Sequence, residues 1–432
     1  MKRTGMNMER VKQQNRSLIL NYICSKGPVS RKEIALDTGL TAASVTQIVS
    51  ALISDKLLVE LGPSSESAGA VGRKKILIDI RSDAEFFFAV NIEPDETNIA
   101  LCDLKGHPVK DRSGNELISG FATDNSVPAE VFLDRIAEEC RTLSFRTSEA
   151  RRKRIKAVSV GISGIVDIYK GISVQAYGIW KDPVDIRSIL GGKLALPVMV
   201  ENNVDAFAIA ALLFGTGRGQ DNLLIIKWGP GVGSTIVIDD RIYRGRHGKT
   251  AEIGHTIMDP NGSICNCGRR GCLETKVSYR ALRAIMPSFT PETFEESYEK
   301  ASPEIKKQID GAIDLFARSI VNTATIVAPR RIVLFGKMFR IDSVRNKLIE
   351  HCKAFDPAYS EKRILHTTLS DREMYVGPAA AYVQNRLQNF PAFAASSTET
   401  ATETVMPTMG LFPAPMRPII STCAGTEEDP AN

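Results

Sequence analysis

Residues 251–274 read AEIGHTIMDPNGSICNCGRRGCLE and bring one histidine and three cysteines into a short span. These four residues are His255, Cys265, Cys267 and Cys272. Zinc prefers nitrogen and sulfur ligands, and a structural zinc ion fills all four tetrahedral positions with them. The spacing therefore predicts a closed Zn²⁺ site. The alternative is a group of three reduced, buried thiols beside an unrelated histidine.

The other cysteines do not resemble a disulfide framework. They are scattered at Cys24, Cys102, Cys140, Cys352 and Cys423. The chain has no apolar run of the roughly 18 residues that a membrane span requires, and residues 1–15 lack the apolar core of a signal peptide. We therefore expect a cytoplasmic protein without a membrane segment.

Positive charge is concentrated at the N-terminal end of the chain. Residues 1–82 contain 13 Lys and Arg against 7 Asp and Glu, a net charge of +6. The whole chain carries +5, so the remainder carries −1. A basic N-terminal region is a candidate for nucleic-acid binding, although a solvated basic surface would give the same count.

Three short helices are predicted in this basic region. Apolar spacing predicts the first over Ser17 to Cys24, before the helix-breaking pair Gly27-Pro28. Ser30 is expected to cap a second helix over residues 31–38, with Glu33 at the capping-box position. Thr41 is expected to cap the third. Four apolar residues of this third helix recur at helical spacing and should face inward: Val45, Ile48, Val49 and Leu52.

The third helix is predicted to read DNA. Its outward residues are Thr41, Ala42, Ser44, Thr46 and Gln47. Their small side chains can enter a major groove. Residues 57–61 and 74–80 are predicted to form two strands of a wing, with Arg73 and Lys74 contacting the DNA backbone or minor groove. Residues 1–82 are therefore predicted to form a winged helix-turn-helix domain; the alternative is a three-helix bundle that contacts only protein.

Residues 83–388 alternate strand-like and helix-like segments, which predicts an α/β domain with two strand-rich halves meeting near Asn203. Strands are expected over residues 86–92, 99–103, 157–162, 198–200, 223–226, 234–238 and 331–334. Helices are expected over residues 129–143, 204–214 and 305–327. Residues 389–432 are acidic, rich in Pro and Thr and without apolar periodicity, so we predict a disordered tail and assign it no function.

The stretch at 251–274 resembles the signature of the ROK family (repressors, open reading frames and sugar kinases), with similarity from about Phe86 to Leu387. The N-terminal region, with Gly72-Arg73-Lys74, resembles that of the family's N-acetylglucosamine and xylose repressors. The resemblance implies an actin-like pair of α/β lobes with a sugar in the cleft. It places the sugar contacts on Asn202, Asn203, Glu252, His255 and Glu274. Carboxylates, amides and a zinc-held imidazole suit the vicinal hydroxyls of a sugar.

The same comparison predicts that kinase activity is lost. The family's kinases have an Asp-Gly-Gly-Thr-like phosphate turn where this chain reads Asn91-Ile92-Glu93-Pro94-Asp95-Glu96-Thr97, with no glycine and three carboxylates that would repel a triphosphate. The catalytic aspartate falls on Asn203, whose amide is not a base. A nucleoside-side glycine cluster is reduced to Phe335-Gly336-Lys337, while the glycine-rich loop at residues 229–234 remains. We therefore expect no enzymatic activity.

These interpretations predict a sugar-responsive transcriptional repressor of carbohydrate-metabolism genes. Its expected partners are operator DNA, a sugar or sugar-phosphate effector, and further copies of the chain in a homodimer or higher oligomer. One alternative is an ATP-dependent sugar kinase with an appended DNA-binding domain. Another is a regulator that senses a protein through the zinc loop instead of a sugar.

Overall fold

The computed structural model describes residues 8–63, 75–217, 222–245, 250–359 and 362–388. The first part contains three helices and a small antiparallel sheet with strand order β1-β3-β2. Its elements are α1 (Met8–Lys26), β1 (Val29–Ser30), α2 (Arg31–Thr38), α3 (Ala42–Ser54), β2 (Leu58–Pro63) and β3 (Ile76–Ile80).

The caps of this first part form as the sequence predicts. The Ser30 hydroxyl accepts a hydrogen bond from the Glu33 backbone N–H, and the Glu33 carboxylate accepts one from the Ser30 N–H at 2.8 Å. Thr41 caps α3 through the Ser44 N–H. The first helix is longer than predicted, because its initial turns are polar and carry no apolar period. The three helices share a core whose fully buried members are Ile19, Leu20, Ile23, Ile34, Val45, Val49 and Leu52.

A first lobe follows, built on a five-stranded sheet of order β11-β7-β4-β5-β6. A second, three-stranded sheet of order β10-β9-β8 lies in the same lobe. The elements are β4 (Phe86–Ile92), β5 (Glu96–Asp103), β6 (Ile118–Ala122), α4 (Ala129–Phe145), α5 (Glu149–Arg152), β7 (Ile155–Ile162), β8 (Ile165–Asp167), β9 (Ile172–Gln175), β10 (Val184–Asp185), α6 (Ile186–Leu194), β11 (Val198–Asn202) and α7 (Asn203–Phe214).

The second lobe repeats this plan with a sheet of order β14-β13-β12-β15-β16. Its elements are β12 (Leu223–Trp228), β13 (Val232–Ile238), β14 (Arg241–Ile242), α8 (Glu274–Val277), α9 (Tyr279–Ile285), α10 (Phe294–Lys300), α11 (Pro303–Val327), β15 (Arg331–Phe335), α12 (Asp342–Phe355), β16 (Ile364–His366) and α13 (Glu373–Gln388). In both large sheets the first strand pairs antiparallel with the next strand and parallel with a later one.

The α/β prediction is confirmed, and every predicted strand and helix of residues 83–388 is present within a few residues of its expected bounds. The elements that were not predicted are strands β6, β8–β10, β14 and β16 and helices α5, α6, α8–α10, α12 and α13. Helix α13 returns from the second lobe to cover the first sheet, where Tyr382 stacks on Phe87 with ring centroids 4.0 Å apart. Helix α13 therefore follows the second lobe along the chain but packs on the first lobe.

Among the described residues, contacts between the N-terminal part and the two-lobed part include one through α1 and one through β3. Helix α1 packs against α7 and α13. Asp79 on β3, which is almost fully buried, forms an ion pair with Lys105 at the end of the β5 hairpin. Among the described residues, we find no helix whose length and apolarity would allow it to cross a bilayer.

Candidate functional site: a metal-binding loop beside an interlobe cavity

The four residues of the predicted metal site come together. Their ligand atoms all lie within 4.8 Å of one another. Cys265 Sγ is 3.5 Å from His255 Nδ1, and Cys267 Sγ is 3.6 Å from Cys272 Sγ. A tetrahedral zinc ion with ordinary bond lengths would separate its ligands by about 3.5–3.8 Å. Burial lowers the pKa of His255 to about 4, so its imidazole is neutral, as metal binding requires. The donor set and its spacing therefore fit a metal ion.

A glycine makes the tight turn of this loop possible. Gly271 has a φ of +71°, and a Cβ added there would lie 1.6 Å from the Asp259 carbonyl oxygen. No other residue fits, because both the backbone conformation and the space exclude a side chain. The turn brings Cys272 back beside Ile257 as an isolated β-bridge, which closes the loop.

The predicted sugar-contacting residues all line one cavity of about 340 Å³ between the lobes. They are Asn202, Asn203, Glu252, His255 and Glu274. His255 Nε2 lies 3.8 Å from Glu252 Oε2, so the ring nitrogen that points away from Cys265 lies beside a carboxylate. Glu274 is held by the Val232 N–H at 3.0 Å, and burial raises the pKa of its carboxyl group. The surviving glycine-rich loop thus orients a carboxylate through Val232.

The two asparagines differ in how much of their hydrogen-bonding capacity remains. Asn202 caps α7 through its Oδ1 and donates to the Gly164 carbonyl at 2.7 Å, which leaves one N–H. Asn203 donates to Glu93 Oε1 at 3.0 Å and to Ser163 Oγ at 2.9 Å. Its Oδ1 accepts no hydrogen bond from a described residue. Asn203 is thus the better placed of the two to accept from a ligand hydroxyl.

Lysines from the second lobe neutralise the phosphate-turn segment. Lys227, a nearly buried residue of β12, pairs with both carboxylate oxygens of Glu93. Lys337, which follows β15, lies 3.6 Å from Glu96 and 3.5 Å from Glu292. The expectation of three repelling carboxylates is therefore too simple, because two of them form ion pairs across the lobes.

An arginine clamps the start of α7 from the second lobe. Arg244 binds Glu201 with two hydrogen bonds of 2.7 and 2.8 Å and Asp205 with one of 3.0 Å. Both carboxyl groups are buried, which raises their pKa values, while the guanidinium opposes that shift. Glu201 precedes Asn202 and Asp205 follows Asn203. Arg244 therefore holds the start of α7 in place from both sides of the two asparagines.

The predicted DNA-reading residues of α3 lie on an accessible face. Thr41, Ala42, Thr46 and Gln47 are exposed and Ser44 is half-buried, while Val45 and Val49 on the opposite side are fully buried. Arg73 and Lys74 lie outside the described residues. The polar face is therefore available for contact, as the periodicity predicts.

Sequence reasoning missed three residues that matter for the cavity: Tyr177, Lys227 and Arg244. Lys227 carried a detectable signal, since it stands alone in the apolar strand LLIIKW at residues 223–228, and a buried lysine requires a partner. Tyr177 and Arg244 lie in irregular segments whose partners are distant along the chain, so no pattern pointed to them.

Known proteins are similar to this chain over most of its length. The ROK family profile matches residues 89–385. The xylose repressor of Caldicellulosiruptor bescii is 24% identical over 408 residues, which cover 89% of this chain and 98% of that protein. A solved ROK family transcriptional regulator, described as a homologue of the Escherichia coli MLC protein, superposes with a TM-score of 0.69 at 22% identity and covers 89% of this chain and 100% of that one.

The two-lobed part is shared with sugar kinases of the same fold. The ROK hexokinase of Thermus thermophilus superposes with a TM-score of 0.55 at 21% identity, over 70% of this chain and 99% of the hexokinase. The lobes therefore have the actin-like kinase fold. Because the family profile covers more than half of its length, the chain belongs to the ROK family.

Proposed function

We propose that this protein is a sugar-responsive transcriptional repressor of carbohydrate-metabolism genes whose kinase-like lobes bind an effector and do not transfer phosphate. The observation that carries the proposal is the contrast between the two halves of the cleft. Hydroxyl-binding groups converge on one cavity, while lysine–carboxylate pairs bridge the region where a nucleotide would bind. The xylose repressor, 98% of whose length aligns with this chain, supports the same function.

The effector in this proposal is a sugar or sugar phosphate held by Asn202, Asn203, Glu252, His255 and Glu274. Carboxylates and amides can hydrogen-bond two adjacent hydroxyls at once. We infer that the metal is Zn²⁺, held by His255, Cys265, Cys267 and Cys272. The ion would supply structural order, fixing the imidazole so that Nε2 can donate to a ligand hydroxyl.

We infer that residues 1–82 form a winged helix-turn-helix domain that binds operator DNA, with residues 83–388 as the effector domain and residues 389–432 as a tail. The exposed face of α3 would enter the major groove, and Arg73 and Lys74 would contact the backbone or minor groove. A homodimer would present two such domains to two half-sites, and such a repressor would work in the cytoplasm. Sugar binding would change operator affinity by favouring one arrangement of the lobes.

Lack of kinase activity is part of the proposal. Asn203 stands where the family's kinases have a catalytic aspartate, and losing a general base costs about 100- to 10,000-fold in rate. Purified protein with Mg-ATP and D-glucose, D-xylose or N-acetylglucosamine should not consume ATP above the background rate. Steady ATP consumption with any of them would establish the kinase alternative.

The repressor proposal is tested by a thermal-shift screen of sugars and sugar phosphates followed by operator titration at fixed salt. One sugar should raise the melting temperature and also change operator affinity. Operator binding that responds to none of them, in a protein that retains its zinc, would favour a regulator that senses another protein.

A further inference from the structure

The cavity has one half-buried aromatic wall that comes from the first lobe. Tyr177 lies in the connection between β9 and β10 and lines the cavity together with Glu252, His255 and Glu274 of the second lobe. Its ring centroid lies 4.9 Å from that of His255, with the two planes at 66°. An aromatic ring of one lobe therefore touches the imidazole of the other at the edge of the same cavity.

The backbone holds Tyr177 in this position. Ala176 and Trp180 form an isolated β-bridge around it, and the Trp180 indole N–H donates to Ser173 Oγ at 3.1 Å. Gly178, whose φ is +78°, accepts a hydrogen bond from the Asn125 side chain at 3.2 Å through its carbonyl. The turn is thus tied at both sides, and the position of Tyr177 follows from it.

Tyr177 is not required by the core on either side of it. Its neighbours Ala176 and Ile179 are buried in the apolar core of the first lobe, whereas Tyr177 is half-buried and belongs to none of the apolar clusters. Its hydroxyl makes no hydrogen bond to a described residue. An aromatic side chain that lines a polar cavity and is not part of the apolar core is available to contact a ligand.

We infer that Tyr177 packs against the C–H face of a bound pyranose and selects sugars whose ring hydroxyls are equatorial. This inference rests on the proposed function. A pyranose with equatorial hydroxyls presents axial C–H groups on both faces, so its faces are apolar and its rim is polar. The carboxylates and imidazole bind the rim, and the aromatic ring covers a face. The face that the ring covers in this inference is the one from which axial hydroxyls at C2 and C4 project, so such a hydroxyl would point at the ring and lose its hydrogen bond to water.

The test compares four sugars by titration calorimetry on the full-length, zinc-loaded protein. D-xylose and D-glucose have equatorial ring hydroxyls, whereas D-galactose and D-mannose each have one axial. The wild-type protein should prefer the first pair. Tyr177→Ala should weaken their binding about tenfold and reduce the preference to within about threefold. Tyr177→Phe, which keeps the ring, should stay within about threefold of wild type.

Two results would overturn the inference. One is a Tyr177→Ala protein that keeps the wild-type preference. The other is a Tyr177→Phe protein that loses as much affinity as Tyr177→Ala, which would mean that the hydroxyl acts and not the ring. Phe145→Ala, which removes an exposed aromatic ring of the same lobe outside the cavity, is the matched control. Zinc content and melting temperature establish that each variant is folded, and Tyr177→Leu replaces any alanine variant that is not.

The inference and the proposed function fail in different ways. If operator binding responds to a sugar but the Tyr177 variants discriminate as wild type does, the repressor function stands and the role of Tyr177 is wrong. If no sugar or sugar phosphate raises the melting temperature or changes operator binding, the proposed function is wrong and the role of Tyr177 falls with it.

Discussion

At the scale of single residues, Lys227 holds together the charged groups at the centre of the cleft. It is nearly buried, pairs with Glu93, and through Glu93 supports the side-chain amide of Asn203. Replacing one member of a buried pair leaves the other charge without compensation, which costs about 3 kcal/mol. Lys227→Met should therefore lower the free energy of unfolding by about that amount in urea denaturation.

The control for this prediction is Lys300→Met, which breaks an ion pair with Glu296 on the surface of α10. Both side chains there are more than two-thirds exposed, so stability should change by less than about 0.5 kcal/mol. Equal losses in the two variants would mean that the Glu93–Lys227 pair is not buried in solution.

Asn203 offers a second prediction at this scale. Asn203→Asp restores the carboxylate of the family's kinases but leaves Lys227 and Lys337 bridging the lobes, and it places the new charge beside Glu93. The variant should be less stable than wild type and should still not hydrolyse ATP in the presence of D-glucose. ATP turnover above background would show that the base alone was missing and that the nucleotide region is open.

At the scale of elements, the cap of α2 links the N-terminal sheet to its helices. Ser30→Ala should cost about 1 kcal/mol, measured by chemical denaturation. The Ser30 hydrogen bonds lower the pKa of Glu33 below its usual 4.5. The stability that the Glu33 carboxylate contributes through these hydrogen bonds is therefore fully present above pH 4.5. It is lost as the pH falls through the lowered pKa of Glu33. Glu33→Gln should remove that part of the pH dependence, and an unchanged acid profile would contradict the assignment.

The metal loop is the second element whose loss has a defined outcome. Cys267→Ser, or removal of the ion by a chelator, should release zinc and reduce sugar affinity at least tenfold. Without the ion, His255 would lose its fixed orientation, and the loop that leads to Glu274 would lose its anchor. Zinc content by mass spectrometry and sugar titration measure the two effects. Cys352→Ala, a buried cysteine of α12 elsewhere in the same lobe, should change neither. Sugar affinity that survives zinc loss would contradict the role of the ion.

At the scale of the whole molecule, described contacts join the N-terminal part to the two lobes through α1 and through β3. Helix α7 begins at Asn203 beside the cavity, and α1 of the N-terminal part packs on α7 and α13. The buried Asp79 pairs with Lys105 at the second contact. These contacts are the physical route by which a change between the lobes could reach α3.

Loss of the Asp79–Lys105 ion pair should weaken the response of operator binding to sugar while leaving sugar binding itself intact. Asp79→Asn should leave sugar affinity unchanged and reduce the sugar-dependent change in operator affinity at least threefold, since the N-terminal part loses a buried attachment. Operator titrations with and without sugar measure the effect. Glu149→Gln, which removes an exposed pair with Lys153 inside the first lobe, should preserve the response. A full response in Asp79→Asn would mean that α1 alone transmits it.

The sequence by itself determined most of the longer strands and helices and the four candidate metal ligands, and through the family resemblance it pointed to five of the polar residues that line the cavity. Local patterns encode such features: apolar periods specify strands and helices, Ser30 and Thr41 specify caps, and His255 with its three cysteines lies within 18 residues. Even there, helix α1 was underestimated because its first turns carry no apolar period.

Only the tertiary structure decided which charges are neutralised and what completes the cavity. Glu93 and Lys227 are 134 residues apart, Asp79 meets Lys105 from another part of the chain, and α13 folds back onto the first lobe. Tyr177 reaches His255 only because the two lobes face each other. Such pairs leave no periodic trace in the sequence, since the energy of a contact depends on distance in space and on burial, and both arise only when the sheets and helices pack.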